Sequence, residues 1–333
     1  MFFMSFKEEA RIITNAAVQK YISVDDAINI VEQTWKWFGS GKIIMPPKIT
    51  TDMSPAGVNG WFNSMPNYIK PLDIAGIKVV GGYSDNKKIG MPFIKANILL
   101  TDPHNGLLKA LVCGDWISDM RTGAQPAIMS QYLAAKTDVV TIIGAGLQGY
   151  TSLLCMSKRI KMKKVFVCDL SEEARLNFIS KFKGAEFELV NCTDTEAACR
   201  QSDIIITVTT ADADLVKASW VKAGCLVMTM GSFKEVEFDV VRQADVIAVD
   251  HIAQSLHRGN LKPLAELGEI TEDSFDVEIG LLLAGKQSYT PDPEKRVYAQ
   301  IVGMGCPDVA IAETARLRSE KDSSFCSFID MQG

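Results

Sequence analysis

The chain has 333 residues, a formal net charge of −5, 47% hydrophobic residues and 23% charged residues. That balance belongs to a folded protein long enough for two domains; it excludes a disordered chain and offers no basic surface for nucleic acid. Its eight cysteines include no C-x-x-C pair and it has three histidines, which argues against a zinc site or a disulfide framework, so no metal is expected.

In chain order, the N-terminal segment mixes apolar residues with Lys7, Glu8, Glu9 and Arg11, unlike a signal peptide. No stretch nears the roughly 18 apolar residues of a membrane span, and the protein is expected to be cytoplasmic without membrane partners. Residues 24–39 carry Ala27, Ile28, Ile30, Val31, Trp35 and Phe38 at helical spacing, which predicts an amphipathic helix. Strand-like runs follow over 77–80, 94–100 and 107–112, separated by turn sequences such as Asp102-Pro103-His104-Asn105-Gly106. From about Ile117 the pattern changes. A helix rich in small residues is predicted over 122–135, and then strands over 139–143, 165–168, 187–190, 204–207, 226–230 and 246–249 alternate with helices. Such alternation builds a parallel sheet with right-handed crossovers. The basic cluster Lys158, Arg159, Lys161, Lys163 and Lys164 reads as a helix end, where cations meet exposed carbonyls. Residues 306–321 read as a helix with Asp308 near its start, and the last dozen residues as a frayed tail.

The strand Val139-Val140-Thr141-Ile142-Ile143 runs straight into Gly144-Ala145-Gly146-Leu147-Gln148-Gly149. Gly144 permits a tight turn, Gly146 lets a pyrophosphate approach the backbone, and Gly149 lets the helix pack on the sheet. The first helical amides then form an anion site. The next strand ends in Cys168-Asp169, and a carboxylate there accepts hydrogen bonds from both ribose hydroxyls while repelling a 2′-phosphate. Asp169 followed by Leu170, with no adjacent Arg, therefore favours NAD(H) over NADP(H). The expected fold class is α/β: a Rossmann-type doubly wound parallel sheet plus a strand-rich α+β domain.

Further stretches stand in a telling order: Met45-Pro46-Pro47-Lys48, Met65-Pro66, Ile77-Lys78-Val79-Val80, Ile117-Ser118-Asp119-Met120-Arg121-Thr122-Gly123-Ala124 and Ile205-Ile206-Thr207-Val208-Thr209. Later come Leu264-Ala265-Glu266-Leu267-Gly268-Glu269-Ile270 and Val302-Gly303-Met304-Gly305 with Asp308. Together with the glycine motif they resemble the ornithine cyclodeaminase/μ-crystallin family over nearly the whole chain. The resemblance implies a homodimer, an NAD-binding domain over 120–306, and a substrate-binding and dimerisation domain formed by 1–119 with 307–333. It implies catalytic roles for Lys78, Arg121 and Asp308. Arg121 would clamp an α-carboxylate as a bidentate fork, and Lys78 would serve the reacting nitrogen as proton donor or electrostatic guide. Lys48, Met65, Phe93 and Lys95 would join them around the substrate. Thr122, Gly144, Ala145, Gly146, Leu147, Gln148, Asp169, Thr207, Val208, Thr209, Gly231, Ser232 and Gly303 would touch the cofactor. Without the resemblance, Lys78 reads equally as a solvated strand residue, and Arg121 as the partner of Asp119 or another carboxylate.

Two departures from the family bear on the chemistry. In its cyclodeaminases the turn after the fifth cofactor-domain strand carries an aspartate that activates water or the amino group. Here the turn reads Met230-Gly231-Ser232-Phe233-Lys234-Glu235, with Ser232 near that place and Glu235 several residues on. Ring-closing deamination needs a base against the substrate amine; hydride transfer needs an aligned C=N bond, the nicotinamide and a proton source. The second departure is Phe93, where the family has a small hydroxyl residue. Phe93, Lys95 and Asn97 share one strand face, and Lys48 stands where many relatives have Arg. Were Lys48, Lys78, Lys95 and Arg121 all to line the pocket, a second acidic group on the substrate would balance them; the rival is that Lys95 points away or pairs with a protein acid. The leading expectation is an NAD(H)-dependent imine reductase or amino-acid dehydrogenase for a small α-imino or α-amino acid, a dicarboxylate being one option. The alternatives are a cyclodeaminase using Glu235 or Asp308 as base, and a non-catalytic dinucleotide-binding protein of the μ-crystallin kind.

Overall fold

A computed structural model describes residues 9–322, 324 and 326–331. Lys7 and Glu8, read above against a signal peptide, lie outside the described residues. The chain enters as β1 (Glu9–Ile13) and α1 (Asn15–Tyr21). Helix α2 (Val24–Gly39) begins at a capping box: Asp26 N donates to Ser23 Oγ over 3.0 Å and Ser23 N to Asp26 Oδ2 over 2.9 Å. Its buried stripe is Ala27, Ile28, Val31 and Trp35, the face marked by the apolar spacing.

Strands β2 (Ile43–Ile44), β3 (Ile49–Asp52), β4 (Gly60–Ile69), β5 (Ile74–Tyr83), β6 (Ile94–Thr101) and β7 (Leu108–Cys113) follow. From β4 to β7 they run as an antiparallel meander in which Lys78 of β5 stands opposite Met65 of β4 and Ile98 of β6. Opposed residues share a sheet face, so Lys78 points with Met65, Ala96 and Ile98 into the buried side. Helix α3 (Asp115–Leu133) starts earlier than the expected 122. Its start is set by a tertiary contact that no apolar period announces: the Asp115 carboxylate takes the Ala96 amide over 2.8 Å and the Lys95 ammonium.

The chain divides into two compact units, Thr122–Gly303 and Met1–Arg121 with Met304–Gly333. The expected junctions stood at 119/120 and 306/307. The continuous unit holds β8 (Val139–Ile143), α4 (Leu147–Arg159), β9 (Lys164–Cys168), α5 (Glu172–Ser180), β10 (Glu188–Cys192), α6 (Thr195–Gln201) and β11 (Ile204–Thr207). It continues with β12 (Leu226–Met230), α7 (Phe238–Arg242), β13 (Val246–Val249), α8 (Ile252–Ser255), α9 (Leu261–Glu266), β14 (Val277–Glu278), α10 (Ile279–Leu283) and β15 (Val297–Ile301). The sheet order is β10-β9-β8-β11-β12-β15-β13-β14, and every neighbouring pair is parallel. Strands β11, β12, β13 and β15 are buried along their whole length, as a parallel sheet with both faces covered requires. From β8 the chain winds outward to β9 and β10 on one side, then resumes with β11 on the other. The carboxyl end of β8 is therefore the switch point at which such sheets bind ligands. Strand β15 has no counterpart in the sequence-based expectations. Gln300 breaks its apolar run, and is buried there because its side-chain amide serves the Ser255 and Arg258 carbonyls and the Leu261 amide.

The last two elements, α11 (Cys306–Ser319) and β16 (Cys326–Asp330), belong to the first unit. Helix α11 is buried on nearly every side and packs on α2, β4, β5 and β6. Gly76 makes room for it: a Cβ there would fall 2.9 Å from the Leu99 carbonyl oxygen and 3.0 Å from Val309. Strand β16 corrects the reading of a frayed tail. It is mostly exposed and so lacks an alternating apolar signal, but its backbone pairs antiparallel with β1, Ile13 opposite Cys326 and Glu9 opposite Asp330. The first sheet then runs β16-β1-β7-β6-β5-β4-β2, with β3 on β4. Among the described residues no helix is long and apolar enough to cross a membrane.

Candidate cofactor and substrate sites

The dinucleotide motif has the geometry its spacing asks for. Gly144 turns the chain at φ 114°, and its amide donates to the Cys168 carbonyl over 2.8 Å. A Cβ on Gly149 would lie 2.1 Å from the Gly144 carbonyl oxygen, so only glycine lets α4 start against the turn. Gly146, the N-cap of α4, has no capping side chain, and a Cβ there would meet nothing. The uncapped amides of the first turn thus face open space fit for an anion. Asp169 is tied to this turn: its Oδ2 accepts the Ala145 amide over 2.8 Å and its Oδ1 the Ser171 amide over 2.9 Å. A carboxylate accepts about four hydrogen bonds, so ribose hydroxyls fit as well. The nearby Arg175 is buried, with Nε on Asn191 Oδ1 at 2.5 Å and Nη1 on the Asp169 carbonyl, so its guanidinium is committed inside the unit. The residues fit a dinucleotide without a 2′-phosphate.

The other cofactor candidates are placed unevenly. Leu147 and Gln148 lie on the first turn of α4, and Thr122 within α3. Thr207 ends β11 and is buried, while Val208 and Thr209 are half-buried. Gly231 turns at φ 101° and is exposed with Ser232. Gly303 is buried, and its amide is taken by Asp250 Oδ2 over 2.7 Å, so it shapes the backbone and does not present a free donor. Glu235, weighed above as a deaminase base, is fully buried with both carboxylate oxygens bound to Thr207 and Thr209. That is a poor position for taking a proton from a substrate amine.

In the other unit, Lys78, Arg121 and Asp308 come together. Lys78 is 0% exposed; its Nζ donates to Asp308 Oδ1 over 2.7 Å and to Ser118 Oγ over 2.8 Å. Arg121 Nε lies 3.2 Å from Asp308 Oδ2 and 3.3 Å from Oδ1. Asp308 stands in the first turn of α11, also 0% exposed, where the helix N-terminus favours a negative charge. Burial pulls the Lys78 pKa down to about 8; Arg121 adds to the fall, and Asp308 and Asp119 oppose it. Burial and the neighbouring Asp115 push Asp119 up to about 6, against the pull of Lys78 and Arg121. Ser118 and Asp119 escaped the sequence reading as site residues. The available signal was spacing: positions 118 and 121 share a helix face.

Met65 is buried opposite Lys78, on the same face. Phe93 packs where a Cβ of Gly82 would stand, 2.8 Å away, beside Trp61. Lys95 corrects the four-cation pocket. The uninterrupted β5–β6 register puts Lys95 opposite Gly81 and Lys78 opposite Ile98, so the two lysines emerge on opposite sheet faces. The Lys95 ammonium pairs with Asp115 instead. The charge count that called for a second substrate carboxylate thereby loses one of its members. Lys48 is half-buried just before β3.

Similarity to known proteins spans nearly the whole chain. The model of the ornithine cyclodeaminase/mu-crystallin family matches residues 8–322. Alanine dehydrogenase of Archaeoglobus fulgidus is 28% identical over 310 residues, covering 92% of this chain and 94% of that protein. Delta(1)-pyrroline-2-carboxylate reductase of Thermococcus litoralis, solved with NADH and L-proline, superposes with a TM-score of 0.87 at 27% identity, over 94% of this chain and 98% of its own. An archaeal alanine dehydrogenase dimer with bound NAD gives a TM-score of 0.90 at 27% identity, over 97% and 99%.

Proposed function

This chain belongs to the ornithine cyclodeaminase/mu-crystallin family, and on that footing we propose that it is an NAD(H)-dependent imine reductase or amino-acid dehydrogenase acting on a small α-imino or α-amino acid. The observation that carries the reading is a buried lysine ammonium, Lys78, 2.7 Å from Asp308, in a cluster that also holds Arg121. The chain's other unit has a dinucleotide turn complete to its ribose-binding acid.

Gly144, Gly146, the first amides of α4 and Asp169 would hold the nicotinamide dinucleotide, which when bound would supply a hydride equivalent for a C=N bond. The chain's own groups do the rest. Arg121 binds the α-carboxylate and thereby orients the C=N bond. Lys78, with a pKa of about 8, is protonated at neutral pH and still a ready donor. It delivers its proton to the substrate nitrogen, so hydride and proton together complete the amine; in the reverse direction Lys78 takes that proton back. Asp308 and Ser118 each accept a hydrogen of the ammonium and fix its direction. The working form is a homodimer; the archaeal alanine dehydrogenase, 27% identical, is a dimer.

The test is NADH consumption with pyruvate, glyoxylate or oxaloacetate plus ammonium or methylamine, and with pyrroline-2-carboxylate. Turnover of at least one substrate, lost in Lys78→Met, is expected. NADH binding with no turnover across the panel would mark a binding protein. Ammonia release from ornithine or lysine without net NADH change would mark a cyclodeaminase. Either result overturns the proposal.

A further inference from the structure

A second buried acid serves the cofactor unit. Glu235 is 0% exposed, and three donors converge on its carboxylate. The Thr209 amide reaches Oε1 over 2.6 Å, the Thr209 hydroxyl the same oxygen over 2.7 Å, and the Thr207 hydroxyl Oε2 over 3.0 Å. The backbone of Glu235 is anchored in turn, its amide on Asn260 Oδ1 at 2.7 Å and its carbonyl on the Leu215 amide at 2.9 Å. One side chain therefore staples both ends of the turn Thr207-Val208-Thr209. The middle residue touches the phosphate turn. Val208 N donates to the Ile143 carbonyl over 2.9 Å, and a Cβ on Gly144 would meet the Val208 carbonyl oxygen at 2.8 Å.

We propose that Glu235 is a positioning residue for the dinucleotide: its ionised carboxylate fixes the Thr207-Val208-Thr209 turn and, through Val208, the Gly144 turn that receives the diphosphate. The inference rests on the reading that this unit binds NAD(H). An ionised carboxylate meets all three donors as an acceptor, whereas a protonated one must itself donate through one oxygen. The Thr209 amide can only donate, so a threonine hydroxyl has to rotate and the staple loosens. Burial pushes the Glu235 pKa up to about 7 against those three hydrogen bonds, which puts the change in the neutral range. Few neighbours titrate with it. Thr207, Thr209 and Asn260 do not ionise in this range. Tyr298 of β15, hydrogen-bonded to Thr229, is pushed up by burial and by Glu235 itself and stays neutral. Lys234 is paired with Asp214 on the more open side of the loop.

The experiment is a fluorescence titration of NADH onto the full-length protein between about pH 6 and about pH 8.5, for wild type, Glu235→Gln and Thr209→Val, with thermal unfolding of the free proteins alongside. Wild-type affinity is expected to fall about tenfold as the pH drops across this range. Glu235→Gln should bind at pH 8.5 about as weakly as wild type at pH 6, with little pH dependence. It should also be at least as stable as wild type at the higher pH, because it removes a buried charge. Thr209→Val, which keeps the acid and removes one donor, should weaken binding several-fold. Wild-type binding matched in strength and pH profile by Glu235→Gln overturns the proposal and leaves the cofactor assignment standing. Failure of the wild type to bind NADH removes both.

Discussion

Replacing Asp308 by Asn keeps the shape of the buried cluster and removes its central charge. Asp308 answers both Lys78 and Arg121, and its own side chain and that of Lys78 are 0% exposed. Breaking a buried pair from one side costs about 3–5 kcal/mol when the remaining charge must stay. Lys78 has a way out, because it can lose its proton. Its folded pKa of about 8 lies below the ordinary 10.5, which already sets a penalty of roughly 3 kcal/mol at about 1.4 kcal/mol per pH unit. The sign follows from linkage. Between about pH 8 and 10.5 the unfolded chain holds a proton that the native chain has released, so wild-type stability rises with pH across that window, and the penalty is complete below it. Without Asp308 the lysine pKa falls further, and at pH 7 the added lysine cost stops at about 1–2 kcal/mol once the amine is neutral. Leaving Arg121 without its carboxylate adds about 1–2 kcal/mol. Asp308→Asn should therefore lose about 2–4 kcal/mol near pH 7, and the gap to wild type should narrow as the pH rises past about 8, where Lys78 is neutral in both proteins. Urea unfolding, followed by tryptophan fluorescence at several pH values, measures both features. A variant as stable as wild type at pH 7, or a deficit that does not change across pH 8, would refute the account of this cluster.

The same lysine sets the pH dependence of the proposed reduction: with a preformed cyclic imine, kcat/KM should fall as the pH rises through about 8, where Lys78 loses its proton. Asp119 raises the Lys78 pKa, so Asp119→Asn should move that limb to lower pH by a few tenths to about one unit, and an unmoved limb would separate Asp119 from the lysine. Asp169→Ala removes the ribose acceptor and should weaken NADH about tenfold in a direct titration, with a smaller loss for NADPH. Gly149→Ala places a methyl 2.1 Å from a backbone oxygen, so the glycine turn must shift; NADH binding should be lost or the melting temperature should drop by several degrees.

The cofactor site was legible in the sequence because its requirements are local. Strand, glycine turn, helix and acid occur within 139–169, and the tightest of the glycine contacts, Gly149 against the Gly144 carbonyl, lies inside that stretch. Five of the six strands expected in the second unit, all but the edge strand β10, were legible for a related reason: strands buried on both faces are written as largely apolar runs. What could not be read there were the two-residue β14 and the longer β15, whose buried Gln300 is satisfied by groups more than forty residues away in the chain. The substrate cluster was legible only in part. Lys78 and Asp308 were visible as single residues, but their 2.7 Å contact joins positions 230 apart, and its chemistry comes from shared burial that no local pattern records.

Lys95 shows the limit from the other side. Asn97 shares its strand face, but Phe93 lies just before β6 and its ring packs beside Gly82 and Trp61, and which face turns toward Lys78 depends on the register between β5 and β6, where a slip of one residue would have reversed the answer. Glu235 carries the same lesson further. Read alone it was a spare acid near the place of a missing catalytic aspartate. In the fold its two oxygens are consumed by Thr207 and Thr209, so the likeness in position does not make a likeness in chemistry. A fully buried carboxylate that already accepts three protein hydrogen bonds is not open to a substrate amine. Its charge, kept in a buried place with no cationic partner in hydrogen-bonding range among the described residues, is explained if it holds the turn beside the glycines of the dinucleotide motif.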